Sequence, residues 1–169
     1  IIDWRLEECD RLGVIIQYNK YAEDIDIKNE NPDIVIVATG GMPNVGILDS
    51  GDEHVVTTWD VLSGDVQPGE SVLLFDDNGA HPGMQAAELI ARAGSQLELV
   101  TPERFFAPEV GGLNHVPYAR AFQECGTRIT INTRLSKVER TGNTPVATLT
   151  SHYSETHQET RDVDQVVVE

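Results

Sequence analysis

The sequence predicts an α/β fold, a Rossmann-like doubly wound parallel sheet with an antiparallel β-meander. A helix that ends at a glycine and is followed by a short strand recurs at Gly13, Gly94 and Gly126. Two segments, "DIVIVATG" at 33–40 and "SVLLF" at 71–75, are almost continuously apolar, which is typical of parallel strands covered on both faces. After "TRITIN", polar and apolar residues alternate around turns, which indicates antiparallel strands.

The individual elements follow from apolar spacing and turn residues. "WRLEECDRLG" and "VIIQY" predict a first helix and strand, and "TTWDVLSG" predicts a short helix capped by Thr57 or Thr58. "MQAAELIARAG" carries an apolar stripe of small residues that lets a helix lie close on a sheet. "LSKVERTG", "TPVATLTSHY" and "ETRDVDQ" predict the meander, with a turn at Gly142-Asn143, and "QVVVE" returns to a buried strand.

Composition limits the partners and the setting. The 169 residues carry 28 acidic and 12 basic side chains, a formal net charge of −16, so nucleic acids and anionic membranes would be repelled. No apolar run reaches the roughly 18 residues of a membrane span, and no secretory leader is recognisable. Cys9 and Cys125 are too few for a disulfide framework, and we expect both to be buried and reduced, as in a cytoplasmic protein.

The chain is expected to hold parts of two domains and to be a piece of a longer protein. It starts at Ile1 rather than Met, and "VVVE" at its end is most of a buried strand. Between about 41 and 70, Gly, Pro and Asp are frequent, which indicates a boundary. Residues 1–56 are therefore predicted to end a first domain. Residues 57–169 are predicted to form a second, Rossmann-type domain, truncated at its last strand.

The order of these elements resembles a known family. "DIVIVATGGMP", a Trp-Asp helix, "VLLFDDNGAHPGMQAAELI", "LELVT" and the meander resemble the C-terminal nucleotide-binding-like region of NADH:flavin oxidoreductases. That group includes trimethylamine dehydrogenase, histamine dehydrogenase, 2,4-dienoyl-CoA reductase and N-methyl demethylases. The resemblance covers nearly all of the chain and is greatest to the amine dehydrogenase and demethylase branch, in which the second nucleotide-like turn also carries Asp or Asn instead of Gly.

The resemblance implies an architecture and an activity for the parent protein. Family members carry an N-terminal TIM barrel with FMN and a 4Fe-4S cluster, followed by two Rossmann-like domains related to those of glutathione reductase. The parent is then expected to oxidise or demethylate an N-methylated amine or amino acid at FMN. The resemblance implies the barrel and the flavin domain as partners of this region, and it is compatible with a homo-oligomeric parent. No catalytic residue of the barrel lies in this chain.

"ATGG" at 38–41 matches the family motif at the end of a flavin-domain strand. In the family, Thr and Gly at this point approach the diphosphate or ribose of FAD or ADP, so the resemblance implies cofactor contacts for Thr39, Gly40 and Gly41. A small residue followed by glycine lets the backbone come close to a bulky anion. The residues alone equally allow a tight turn after a buried strand, and in both cases the site is incomplete.

The turn "FDDNGAHPG" is similar to a dinucleotide-binding turn that has lost glycines. In G-x-G-x-x-G, the glycines permit the turn, the approach of the diphosphate and the packing of helix on strand. The corresponding residues here are Asn78, Ala80 and Gly83, so only the packing glycine is kept. Asn78 can adopt the left-handed backbone of a turn. The candidate cofactor-binding residues of this turn are Asn78, Gly79 and Gly83.

Charge at the same turn opposes a nucleotide. Pro82 removes one N–H from the anion-binding end of the helix. Asp76 and Asp77 add negative charge, and one carboxylate about 5 Å from a phosphate costs roughly 3 kcal/mol at an effective dielectric near 20, or about two decades of affinity. His81 offsets little of this cost at neutral pH.

The end of the following strand, "LELVTPERFF", leaves the nucleotide question open. An NAD site has an acidic residue there for the ribose hydroxyls, and an NADP site has a nearby Arg. Thr101 stands at that point, while Glu103 and Arg104 follow and either contact a ribose or pair with each other on the surface. Phe105, Phe106 and His115 in the next loop are expected to pack against the rest of the parent protein.

The sequence is compatible with three hypotheses for the function of residues 57–169. The favoured hypothesis is a degenerate domain that no longer binds NAD(P) and is a scaffold in a flavin-dependent enzyme. The alternatives are a working NAD(P)H module that delivers hydride to flavin, and a docking surface for an electron-transfer protein. The sequence shows no Ser/His/Asp or Cys/His catalytic spacing and no metal-ligand cluster, so it predicts neither a catalytic nor a metal-binding residue.

Overall fold

The computed structural model describes the backbone of residues 1–169 and every side chain except that of Glu155. The chain divides into two compact units, Ile1–Gly40 and Gly41–Glu169. Among the described residues, no helix combines the length and the apolarity that crossing a bilayer requires.

The first unit contains two helices. α1 spans Ile2–Arg11, and Gly13 beyond it has the positive φ, 72°, that the sequence predicts at the end of this helix. α2 spans Asp24–Glu30 and begins at a capping box in which Asp26 accepts a hydrogen bond from the backbone N–H of Glu23.

The two strands predicted in the first unit, at 14–18 and 33–40, are wrong for this structure. Neither segment pairs with a strand within the described part of the chain, and Ile36 in the second segment is 85% exposed. The apolar run shows that a segment suits a buried strand. A strand also needs a neighbour for its backbone N–H and C=O groups, and the run does not supply one.

The second unit is built on a parallel sheet and a meander. A 3₁₀ turn at Asp52–His54 precedes its regular elements. These elements are, in chain order, β1 Val56–Thr57, α3 Thr58–Ser63, β2 Ser71–Phe75, α4 His81–Arg92, β3 Gln96–Val100, α5 Gly112–Cys125, β4 Arg128–Thr130, β5 Thr133–Thr141, β6 Thr144–Ser151, β7 Ser154–Asp162 and β8 Gln165–Val168. The parallel sheet has the order β1-β8-β2-β3-β4, and β5, β6 and β7 form an antiparallel sheet. The predicted α/β class with a meander is confirmed.

Local signals set several of these boundaries as predicted. Thr57 caps α3, because its Oγ1 accepts the N–H of Asp60 at 3.2 Å while its own N–H donates to the Asp60 carboxylate at 2.8 Å. Pro82 lies in the first turn of α4, where a missing N–H is tolerated. Gly142, with φ 66°, turns the chain between β5 and β6.

The unbroken apolar run of β2 follows from burial on both faces. Val72 and Leu74 belong to the core formed with α4 and α5, whereas Leu73 and Phe75 belong to the core formed with the meander. The sheet is therefore covered on both faces, as its sequence predicts. The second cover is the meander rather than a second layer of helices.

The expectation that both cysteines are buried is wrong. Cys9 is half-buried and Cys125 is exposed, and both are free thiols. Cys125 is the last residue of α5, immediately before Gly126 ends the helix with φ 72°. The end of this helix projects into solvent, so its apolar spacing does not bury the thiol.

A polar cluster joins the two sheets of the second unit. Glu98 on β3 is 8% exposed, and its carboxylate accepts a hydrogen bond from Arg161 Nε at 2.9 Å. Its other oxygen accepts the hydroxyl of Thr130 at 2.7 Å. Since Arg161 lies on β7 and Thr130 on β4, this carboxylate ties the meander to the edge of the parallel sheet.

Replacing Arg161 with Met is expected to lower the free energy of unfolding by about 2 kcal/mol, because the largely buried carboxylate of Glu98 then loses the closer of its two arginine partners and keeps only Arg128, at 3.4 Å. Urea unfolding measures the loss. Arg140→Met is the matched control, since Arg140 is exposed on β5. Equal stability of the two variants would contradict a role for the ion pair.

Candidate functional site at the carboxyl ends of the parallel strands

The turn between β2 and α4 spans residues 76–80 and contains a buried carboxylate. Asp76 follows the last residue of β2 and is 0% exposed. Its Oδ1 accepts the backbone N–H of Gly79 at 2.9 Å and that of Asn78 at 3.2 Å. In a dinucleotide-binding fold, N–H groups of this turn face the diphosphate. Here an anion of the chain itself already occupies two of them.

The protonation of Asp76 is shifted by its surroundings. Burial raises the pKa of its carboxyl above the ordinary value, and the hydrogen bonds from the two amides oppose this rise only in part. The negative charges of Glu169 and Asp77 raise the pKa further. Oδ2 is buried and has no hydrogen-bond partner among the described residues. Protonation of Oδ2 would therefore break no hydrogen bond.

Gly83 makes room for this carboxylate. A Cβ placed on Gly83 would lie 2.9 Å from both Cγ and Oδ1 of Asp76, closer than real Cβ contacts. The glycine that the sequence identifies as the packing glycine therefore packs against the carboxylate at the end of β2. Asp76 can point inward only because residue 83 of α4 has no side chain.

The loop after β3 covers the turn from the other side. Gly79 has φ 72°, and a Cβ there would lie 2.6 Å from Cδ of Pro108. The N–H of Glu109 donates to the carbonyl of Gly79 at 3.0 Å. Pro108 therefore covers the side of Gly79 on which a side chain would stand.

His81 contacts α5 rather than standing free beside the turn. Its Nδ1 lies 3.1 Å from the hydroxyl of Tyr118 on α5, and the two rings are tilted at 57° to each other. Ring and hydroxyl satisfy each other between α4 and α5.

Thr101 occupies the point after β3 at which a ribose contact is expected. Thr101 is buried, and its hydroxyl accepts the N–H of Glu103 at 3.3 Å. Glu103 and Arg104 are exposed and form no ion pair with each other in the described structure. Phe106 and His115, farther along, stack on each other with ring centroids 4.3 Å apart. Phe106 and His115 thus find partners within the second unit, whereas Phe105 is 53% exposed.

An acidic cleft lies at the carboxyl ends of β1, β8 and β2. Its volume is about 430 Å³. Its lining, which defines the acidic cleft, consists of Gly41, Met42, Pro43, Asn44, Ile47, Thr57, Trp59, Asp77, Asn78, Val168 and Glu169. Two of these residues are acidic and none is Lys, Arg or His. Glu169 is held by Thr58 Oγ1 and by Asn78 Nδ2, the latter at 3.3 Å.

The residues predicted to bind a cofactor fall into three places. Asn78 and Gly41 line the acidic cleft. Gly79 and Gly83 lie beneath the turn, where they contact Pro108 and Asp76. Thr39 and Gly40 belong to the first unit and are exposed, and Gly40 has φ 74°.

Sequence reasoning missed Trp59 and Glu169. Both line the acidic cleft because β8 lies between β1 and β2, and Val168 pairs with Thr57 and Phe75. The available signal is that ligands of α/β sheets bind beyond the carboxyl ends of strands, where Glu169 follows "QVVV". No group of three or more His, Cys, Asp or Glu side chains in the described residues could hold a metal ion.

Comparisons with known proteins identify relatives of the whole chain. It is 48% identical to a probable N-methylproline demethylase of Rhizobium meliloti (strain 1021), over 99% of the chain. It is 38% identical to N,N-dimethylglycine/sarcosine dehydrogenase of Chromohalobacter salexigens, over 100% of the chain. The chain spans 25% of the length of each relative. No protein-family model matches the chain.

Solved structures share the fold. The chain superposes on the 6-hydroxypseudooxynicotine amine oxidase of Pseudomonas geniculata N1 with a TM-score of 0.83 and 24% identity, covering 98% of this chain and 26% of that one. The relatives and structural neighbours confirm the resemblance to the C-terminal nucleotide-binding-like region of the NADH:flavin oxidoreductase and trimethylamine dehydrogenase family.

Asp76→Asn is expected to change how stability depends on pH. The pKa of Asp76 is raised in the folded chain, so the folded state binds this proton more tightly than the unfolded state. The free energy of unfolding therefore falls as pH rises from about 4 through the raised pKa, and the Asn variant lacks this fall. Urea unfolding over that range should show the variant gaining stability relative to the native chain as pH rises. A constant difference would contradict the assignment.

Gly83→Ala is expected to cost about 1–3 kcal/mol, because the added methyl group overlaps the carboxylate of Asp76. In an Asp76→Ala background the carboxylate is absent, and the cost of the second substitution should largely disappear. Thermal unfolding of the four proteins gives the coupling. Gly112→Ala is the control, since a Cβ there meets no atom within 4 Å. Simple additivity of the two substitutions would contradict the contact.

Proposed function

We propose that this chain, a homologue of the C-terminal region of the NADH:flavin oxidoreductase family, is a degenerate nucleotide-binding-like scaffold. The parent protein is proposed to be a flavin-dependent enzyme that oxidises or demethylates N-methylated amines. The names of the relatives, an N-methylproline demethylase and a dimethylglycine/sarcosine dehydrogenase, support this substrate class. FMN, the 4Fe-4S cluster and the catalytic residues are proposed to lie in the barrel, outside this chain, in a cytoplasmic protein.

One observation carries the scaffold assignment: the Asp76 carboxylate accepts the turn amides of Asn78 and Gly79. These residues do not fit NAD(P). A diphosphate would have to replace a buried carboxylate that already accepts both amides, and would have to enter beside the exposed carboxylate of Asp77. The alternative function, delivery of hydride from NAD(P)H to flavin, requires the same amides and is disfavoured for the same reason.

Residues 1–56 are proposed to belong to a flavin-type domain. The motif at Thr39, Gly40 and Gly41 supports an approach of FAD or ADP, since Gly40 has φ 74° and a Cβ there would meet no atom within 4 Å. This open backbone leaves room for a bulky anion. The rest of that site, like the barrel, is proposed to come from other parts of the parent protein.

Titration with NADH, NADPH and ADP tests the scaffold assignment, by calorimetry and by the shift in unfolding temperature. No binding is expected at micromolar ligand, because the turn offers no free pair of amides and the cleft no cation. Micromolar binding of NADH would contradict the proposal, and its loss in Gly83→Trp would place that binding at the turn. The pair Asp76→Gly and Asp77→Lys, made together, should create weak ADP binding by freeing the amides and reversing one charge.

A further inference from the structure

We propose that a pocket on the outer face of the meander binds a phosphate group, carried by inorganic phosphate or by a phosphomonoester of a small polar alcohol. This meander pocket is lined mainly by Arg134, Ser136 and Lys137 on β5, Thr148 and Thr150 on β6, and Gln158 on β7. Its volume is about 440 Å³, in the range of small-molecule sites. The proposal goes beyond the scaffold assignment, since the turn at 76–80 does not line this pocket.

A β-bulge brings three residues of β5 into the meander pocket. Successive side chains of a strand point to opposite faces, so Arg134 lies on the outer face while Leu135 packs in the core against the parallel sheet. The pairing with β6 shifts by one residue between Leu135 and Lys137, and Lys137 then lies opposite Thr148. The extra residue, Ser136, thus puts Lys137 on the same face as Arg134, as bulges near binding sites do.

The strand register brings the polar groups of the meander pocket together. Arg134 is paired with Thr150, and Thr150 is paired with Gln158 on β7. Thr148 lies two residues before Thr150, on the same face of β6. Side chains directly opposite each other on neighbouring strands are about 5 Å apart at Cβ. A guanidinium group, two hydroxyls and an amide can therefore contact one small ligand.

The hydroxyl of Thr148 is the observation that points to a ligand. Thr148 is only 6% exposed, and its side chain lies on the outer face because Ala147 and Leu149 pack in the core. Its carbonyl accepts the hydroxyl of Ser136 at 3.1 Å, whereas its own hydroxyl has no hydrogen-bond partner among the described residues. Polar groups buried to this extent are normally hydrogen-bonded. A ligand oxygen in the meander pocket would supply the partner.

The charge of the meander pocket favours an anion. Arg134 is exposed and forms no ion pair with the described side chains. Lys137 Nζ lies 3.0 Å from the Glu139 carboxylate, an exposed pair that competes only weakly with a ligand. Asp49 is the single acidic residue in the described lining, and it opposes one of the two cations. The chain as a whole has 28 acidic and 12 basic residues, so this balance is locally reversed.

The lining favours phosphate over other anions. All nine described lining residues are polar, and four of them are Ser or Thr, so no wall would bury an apolar group. A carboxylate has two oxygens, whereas a phosphate presents three or four to donors on different sides. Arginine also binds phosphate with two parallel N–H groups. The remaining volume accommodates a small polar alcohol esterified to the phosphate.

The test uses glycerol 3-phosphate, inorganic phosphate and glycerol on the full-length protein that contains this chain. Threonine is labelled with ¹³C at its methyl group, and Thr148→Val and Thr150→Val identify the two resonances of the pocket. At constant ionic strength, a phosphate is expected to shift both resonances with saturation, with a dissociation constant on the order of 1 mM. Glycerol and chloride are expected to leave them in place.

Tighter binding of glycerol 3-phosphate would identify an ester as the ligand, and tighter binding of inorganic phosphate would identify the free ion. Either result supports the proposal. No saturable shift with either phosphate, or an equal shift with chloride, would overturn it.

Two arginine variants locate the anion. Arg134→Gln is expected to weaken phosphate binding about fivefold, because a charge-assisted pair of hydrogen bonds is lost. Arg140→Gln is the matched control, since Arg140 is exposed on the same strand and does not line the pocket. Equal weakening in both variants would mean that phosphate responds to net charge alone, and would overturn the proposal.

Two further variants test the other contacts. Thr148→Val, followed at the Thr150 resonance, is expected to weaken binding about threefold with no change of charge, because a hydrogen bond is lost. Asp49→Asn is expected to strengthen binding about twofold, because one repulsive charge is removed. Unchanged affinity in Thr148→Val, or weaker binding in Asp49→Asn, would overturn the proposal.

The outcome is separable from that of the scaffold assignment. Micromolar binding of NADH that leaves the Thr148 and Thr150 resonances in place would contradict the scaffold assignment alone. Absence of NADH binding together with silence of both resonances to both phosphates would overturn the phosphate assignment alone. Absence of NADH binding with a saturable response to a phosphate supports both.

Discussion

The hydrogen bonds from the amides of Asn78 and Gly79 to the carboxylate of Asp76 organise the site. A tight turn from a parallel strand into a helix leaves backbone N–H groups that require an acceptor. In nucleotide-binding folds the acceptor is a ligand, whereas here it is the first side chain after β2. The turn can therefore keep its geometry with no ligand bound.

The surrounding residues are arranged around that internal acceptor. Gly83 lacks the side chain that would overlap the carboxylate, and Pro108 closes the turn above Gly79. The N–H of Glu109 donates a hydrogen bond to the carbonyl of Gly79. Helix, turn and loop thus form one packed unit, in which two glycines make room for a carboxylate and a proline ring rather than for a phosphate.

The sequence predicted what local patterns determine. The helices other than α2, the parallel strands from Ser71 onward and the meander follow from apolar period and turn residues, which act over a few positions. The short helix α2 at Asp24–Glu30 was not predicted. The prediction of a strand at 33–40 was wrong, because an apolar run does not specify which strand it pairs with. Asp76 was recognised as a charge of the wrong sign for a phosphate. That its side chain turns inward onto amides two and three residues later depends on the space beside Gly83.

Contacts between residues far apart in the chain were the hardest to predict, and Trp59 and Glu169 are the clearest case. They are 110 positions apart, and they meet only because β8 lies between β1 and β2 in the sheet. Their meeting also couples the cleft to the turn. Burial raises the pKa of Asp76 most, and the negative charges of Glu169 and Asp77 raise it further, so the turn already contains repulsion between carboxylates. A diphosphate in the same place would add to the repulsion. The same three carboxylates that raise the pKa of Asp76 therefore also disfavour a nucleotide at the ends of β8 and β2.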